Sequence, residues 1–164
     1  MYPEHLHFNQ VANNRNSSGI VPGDDGSVND YLNRDGVLRK QAQDATAPPG
    51  YVESFKDEAG STEQIGYLTY KTLDEYDPAK CAAFCDSEKF CLGFNIFFER
   101  DPTTDPAVGC PQNPLPTTNI KCSIYGYPVA KASATNKGQY RGDFQVVITG
   151  SNGKLSSFYS HTFC

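Results

Sequence analysis

Six cysteines, all at or after residue 81, limit this chain more than anything else in it, because the first pair falls inside a helix signal. In Asp77-Pro78-Ala79-Lys80-Cys81-Ala82-Ala83-Phe84-Cys85 an acid stands at the N-cap position, and proline follows where no amide hydrogen is needed. A helix here carries Cys81, Phe84 and Cys85 on one face, so both thiols point toward a core. The later cysteines Cys91 and Cys122 lie in β-rich runs, Cys91-Leu92-Gly93-Phe94-Asn95-Ile96-Phe97-Phe98 and Lys121-Cys122-Ser123-Ile124-Tyr125. Helix and sheet can thus be stapled together at two points.

An even number of cysteines without a CxxC pair favours disulfides over redox or zinc-knuckle chemistry. Zinc is the weaker rival, since His5, His7 and His161 lie near the ends and do not interleave with the cysteines. The expectation is an extracellular chain. Its 164 residues, 38% of them apolar, suit one domain with a modest core that staples would support. No apolar run approaches a membrane span, and Met1-Tyr2-Pro3-Glu4-His5 lacks signal-peptide character, so a secreted chain implies a leader removed or lying outside these residues. A net charge of −5 with scattered lysines disfavours nucleic acid and anionic membrane as partners.

Composition divides the chain. Residues 1–60 lack cysteine, are rich in Asn, Asp, Ser and Gly, and contain the turn clusters Val21-Pro22-Gly23-Asp24-Asp25-Gly26 and Ala47-Pro48-Pro49-Gly50. They read as a polar, loop-rich arm, partly ordered or packed on the domain, with little periodicity in Asn29-Asp30-Tyr31-Leu32-Asn33-Arg34-Asp35-Gly36-Val37-Leu38. Asn16-Ser17-Ser18 in this arm is an N-glycosylation acceptor. Residues 61–153 form the domain and 154–164 a C-terminal tail. Strand signals cover residues 65–73, 92–99, 120–125 and 140–149, with the helix after the first. The fold class is therefore α+β, an antiparallel sheet cradling one short, disulfide-stapled helix. Apolar side chains on both faces, Phe94, Ile96 and Phe98 against Phe97, make the 92–99 strand central. Turns are expected at Asp101-Pro102, Asp105-Pro106, Asn113-Pro114 and Ser151-Asn152-Gly153.

A helix with C-x3-C, a cysteine opening a strand, and a later strand with a lone cysteine resembles the PAN/apple superfamily. More narrowly, Gly66-Tyr67-Leu68-Thr69-Tyr70, Cys81-Ala82-Ala83-Phe84-Cys85-Asp86, Phe94-Asn95-Ile96-Phe97-Phe98-Glu99-Arg100-Asp101-Pro102, Ile120-Lys121-Cys122 and Phe144-Gln145-Val146-Val147-Ile148-Thr149-Gly150-Ser151-Asn152-Gly153 resemble PAN-like secreted proteins of filamentous fungi. The likeness covers residues 65–153. It implies a helix cradled by a curved sheet, and a non-catalytic extracellular module that binds carbohydrate or protein. It also implies the pairs Cys81–Cys122 and Cys85–Cys91. The chain departs from apple-type domains in having no cysteine before the first strand, which leaves Cys110 to pair with Cys164.

Glu99, Asp101 and Asp105 in an acidic, proline-rich loop would suit glycoside hydrolysis, yet Asp-Pro repeats initiate turns without any reaction. That loop, Asp24-Asp25 with Asn29-Asp30, and Asn33 with Asp35 all miss the calcium-loop spacing. Gly150-Ser151-Asn152-Gly153-Lys154 has only the second half of a phosphate loop, so a hairpin turn accounts for it better. No catalytic set, metal or cofactor is expected. Of ten tyrosines, Tyr125, Tyr127 and Tyr140 are the candidates for ligand binding, because a ring with a hydroxyl can stack on sugar or anchor an interface. The expected partner is a cell-wall glycan or an extracellular protein. The alternative is a self-assembling surface protein whose arm contacts a neighbouring subunit.

Overall fold

A computed structural model describes residues 20–160, the last two by backbone alone. The described chain runs α1 (Val28–Leu32), α2 (Val37–Asp44), β1 (Tyr51–Glu58), β2 (Tyr67–Leu73), α3 (Pro78–Asp86), β3 (Gly93–Pro102) and β4 (Pro116–Tyr125). A 3-10 turn at Lys131–Ser133, the short strands β5 (Tyr140–Arg141) and β6 (Phe144–Gln145), β7 (Val147–Ser156) and α4 (Ser157–Ser160) complete it. One five-stranded sheet in the order β1-β7-β3-β4-β2 pairs antiparallel throughout, so the fold is α+β. As expected from its two-sided apolar pattern, β3 lies at the centre and is buried along its whole length.

The stapled helix forms where its signal stands. The Asp77 side chain accepts from the Ala79 amide, and Pro78 occupies the first turn. Cys81 joins Cys122 on β4, and Cys85 joins Cys91 before β3, with Cα separations of 5.6 and 5.4 Å. Phe94, Ile96 and Phe98 pair across the sheet with Ile124, Cys122 and Ile120, and this face packs in one cluster with Cys81, Ala82 and Cys85 of α3. Cys110 is exposed on the loop after β3, while its expected partner Cys164, like Asn16 and the three histidines, lies outside the described residues.

The arm expected over residues 1–60 needs correcting from residue 20 onward. Ser27 caps α1 in a capping box, accepting from the Asp30 amide while the Asp30 carboxylate takes the Ser27 amide, both at 3.1 Å. Leu38 and Ala42, one turn apart on α2, are buried, and α2 packs on β7 and β1. Tyr31 joins the main core, its hydroxyl sharing a 2.5 Å hydrogen bond with Thr118 Oγ1. Arg100 on β3 donates to Gly26 O at 2.8 Å and lies 4.1 Å from the Phe144 ring centre, pinning the same segment to the sheet. β1 is an edge strand of the main sheet.

The C-terminal boundary also moves. The expected strand over residues 140–149 divides into the β5–β6 hairpin, which turns at Gly142 with φ +58°, and the start of β7. The expected turn at Ser151-Asn152-Gly153 lies inside β7, and so does the start of the expected tail, Lys154, which is fully buried and donates to Glu53 at 2.8 Å. Local turn propensity is overridden by packing. Gly153 admits the Phe55 ring where a Cβ would collide with it, and Asn152 bridges two elements. The Asn152 Nδ2 donates to Ala42 O, and its Oδ1 accepts from the Asp57 amide, each at 2.8 Å. Asp57, at φ +52°, in turn accepts from Arg39 Nε at 2.6 Å and Gln43 Nε2 at 2.8 Å. Asn152→Ala would remove the partner of a buried carbonyl, Ala42 O, and of a partly buried amide, Asp57 N, and it is expected to cost about 2 to 4 kcal/mol in a urea unfolding curve.

Candidate functional site

Strand alternation decides what faces away from α3. On β4 the odd positions Lys121, Ser123 and Tyr125 point to that second face, and their partners on β3 are Phe97, Asn95 and Gly93. β2 contributes two rings because its register slips between Tyr67 and Thr69: Tyr67 pairs with Tyr125 and Tyr70 with Ser123. Without that bulge, residues three apart would face opposite ways. The Tyr67 and Tyr125 rings meet edge to face at 5.9 Å, and Lys121 Nζ lies 5.5 Å from the centre of Tyr70.

These side chains line an open cavity of about 370 Å³ whose other wall is residues 61–64 with Asn136. That wall is tied in place. Ser61 and Asn136 exchange backbone hydrogen bonds at 2.8 and 3.1 Å, the Thr62 amide donates to Asn95 Oδ1 at 2.8 Å, and the Tyr125 hydroxyl donates to Thr62 O at 2.8 Å. Tyr67 and Tyr70 are about half exposed, whereas Tyr125 is buried at the floor. The result is a rigid aromatic recess with polar groups on several sides.

Charge gathers at the floor. Glu99, at the end of the expected strand, and Asp101, expected in the loop after it, both lie on β3, where their carboxylates share the second face. Lys121 forms an ion pair with Glu99 and lies 3.9 Å from Asp101. The Asn119 amide donates to Asp101 Oδ2 at 2.6 Å. Burial and the Asp101 carboxylate outweigh Lys121 and push the Glu99 carboxyl up to about 7. Burial works against the Lys121 charge, but Glu99 and Asp101 together hold its ammonium above the usual lysine range. An unfolded glutamate titrates near about 4.3, so the folded state keeps the Glu99 proton from there to about 7 and stability falls as pH rises through that window. Glu99→Gln is expected to flatten this decline, as read from urea midpoints at about pH 5 and about pH 8.

The three sequence-expected tyrosines separate. Tyr125 lines the cavity through its ring, its hydroxyl being engaged with Thr62. Tyr127 is exposed just after β4, where its carbonyl accepts from Gln64 Nε2 at 3.4 Å. Tyr140 is exposed on the β5–β6 hairpin and does not line the cavity. Sequence reading missed Tyr67 and Tyr70 as lining residues, having placed them in a strand and in the family resemblance, and missed the Glu99–Lys121 pair. Among the described residues no three His, Cys, Asp or Glu side chains converge as metal ligands, and no helix is long and apolar enough to cross a membrane. No protein-family model, curated protein or solved structure matches this chain.

Proposed function

We propose that the chain is a non-catalytic extracellular binding module of PAN/apple type that holds a glycan, such as a fungal cell-wall polysaccharide, in the cavity on the second face of its sheet. The observation that carries the reading is the recess itself, where the Tyr67, Tyr70, Phe97 and Tyr125 rings stand beside Ser123, Gln64, Glu99 and Lys121. Sugar rings present apolar faces for stacking and hydroxyls for hydrogen bonds, and such a lining offers both. The two disulfides are consistent with an extracellular location, and they tie the helix to β4 and to the segment leading into β3, the pairs that the PAN-like resemblance implies.

Tyr70→Ala is expected to weaken glycan binding by about 1 to 2 kcal/mol with circular dichroism unchanged, since the ring is half exposed and supports no core. Calorimetry against a panel of soluble oligosaccharides measures this, and product analysis of the same mixtures should find no cleavage. An unchanged affinity in Tyr70→Ala would remove the cavity from the reading.

Self-association is a second reading, supported by β2. This edge strand exposes Tyr67, Leu68 and Tyr70 and is flanked by exposed Ile65 and Phe90, a surface open to strand pairing with another chain. Sedimentation velocity over a range of concentrations tests it.

A further inference from the structure

Resting on the glycan reading above, we propose that the cavity selects a sugar carrying a free amine, received as an ammonium by Glu99 against the aromatic wall of Tyr67 and Tyr70. The lining of the cavity carries more carboxylates than cations. Glu63 and Glu99 line the cavity with Lys121, and Asp101 stands within reach of the same lysine. The other nearby cation, Arg141, approaches Asp101 only to 3.8 Å, is 39% exposed, and also reaches toward Asp105 at 3.5 Å. Asp101 is thus shared between Lys121 and Arg141, and within the lining itself Glu63 and Glu99 face a single ammonium, that of Lys121.

Hydrogen-bonding capacity is unbalanced in the same direction. Asp101 Oδ1 and Asn119 Oδ1, buried beneath the lining, accept no hydrogen bond from the described residues, and within the lining the carboxylates of Glu63 and Glu99 are acceptors. A protonated amine supplies positive charge and up to three donors at one atom, where a hydroxyl supplies one donor and no charge. The half-exposed rings of Tyr67 and Tyr70 add cation–π attraction, as Tyr70 already does for Lys121. An acidic sugar meets the opposite field, and acetylation of the amine removes both the charge and the extra donors.

Calorimetric titration of the intact, oxidised chain with a free-amine hexosamine oligomer, its N-acetylated form and a neutral glucose oligomer of equal length provides the test. The free-amine oligomer is expected to bind about tenfold more tightly than the other two, with an advantage that shrinks as salt is added. Glu99→Gln, checked for folding by circular dichroism, should abolish that preference, while Tyr70→Ala should weaken all three oligomers. Equal affinity for the amine and acetylated forms on the unaltered chain overturns the inference, whether or not Glu99→Gln folds. So does a preference that survives in folded Glu99→Gln. If the oligomers bind through Tyr70 without regard to charge, amine selection fails and the glycan reading stands. If no oligomer binds, both fail. Tighter binding of a lysine-rich peptide than of the amine oligomer would overturn the choice of sugar as the source of the ammonium.

Discussion

A chain beginning at Glu63 is expected not to fold, even with Cys81–Cys122 and Cys85–Cys91 oxidised. Truncation there deletes β1 and exposes the backbone edge of β7, which pairs with β1 from Tyr51↔Ser156 to Glu58↔Ser151. It also removes Tyr31, Leu38, Tyr51 and Phe55, all at most 9% exposed, from the core. At about 1.5 to 3 kcal/mol for each large side chain, the loss reaches about 6 to 12 kcal/mol, comparable with the whole stability of a domain of this size. Circular dichroism and amide exchange on the truncated chain measure this. A cooperative unfolding transition would show that residues 20–58 decorate the fold without holding it.

Removing the Cys81–Cys122 bridge is expected to have the next largest effect. It closes a separation of 41 residues, and chain entropy assigns such a loop about 4 kcal/mol, against about 2 kcal/mol for the separation of 6 between Cys85 and Cys91. Burial widens the gap. Cys81 and Cys122 are fully buried between α3 and β4, so replacing both with alanine also leaves a void in the core. Guanidinium unfolding of Cys81→Ala/Cys122→Ala beside Cys85→Ala/Cys91→Ala should show the first pair much less stable. Equal midpoints would mean that the helix is held by packing and not by its staples.

The site depends on this framework. Cys122 alternates with Lys121 and Ser123 on β4, so the bridge on one face positions the charged floor on the other. Loosening the first should loosen the second, although neither cysteine lines the cavity.

What could be read along the chain was whatever short-range rules dictate. Asp77, Pro78 and the four-residue cysteine spacing specify α3, and apolar side chains on both faces of residues 93–98 specify a central strand, because caps and periodicity act within a few residues. The first two helices left only faint marks, a Ser27/Asp30 capping box and the pair Leu38 and Ala42, among residues otherwise typical of loops. β1 hides Tyr51 and Phe55 among charged neighbours, and becomes a strand by adding to β7. In Gly150-Ser151-Asn152-Gly153 turn-forming residues serve as strand, since Asn152 finds partners on α2 and β1 that lie 110 and 95 residues away in the chain. The cavity followed the same division. Aromatic richness was visible, but which rings meet was set by a bulge at Tyr67, and the Glu99–Lys121 pair by the β3–β4 register. Bulges and registers are chosen by the summed packing of a whole sheet, and no local run of residues encodes them.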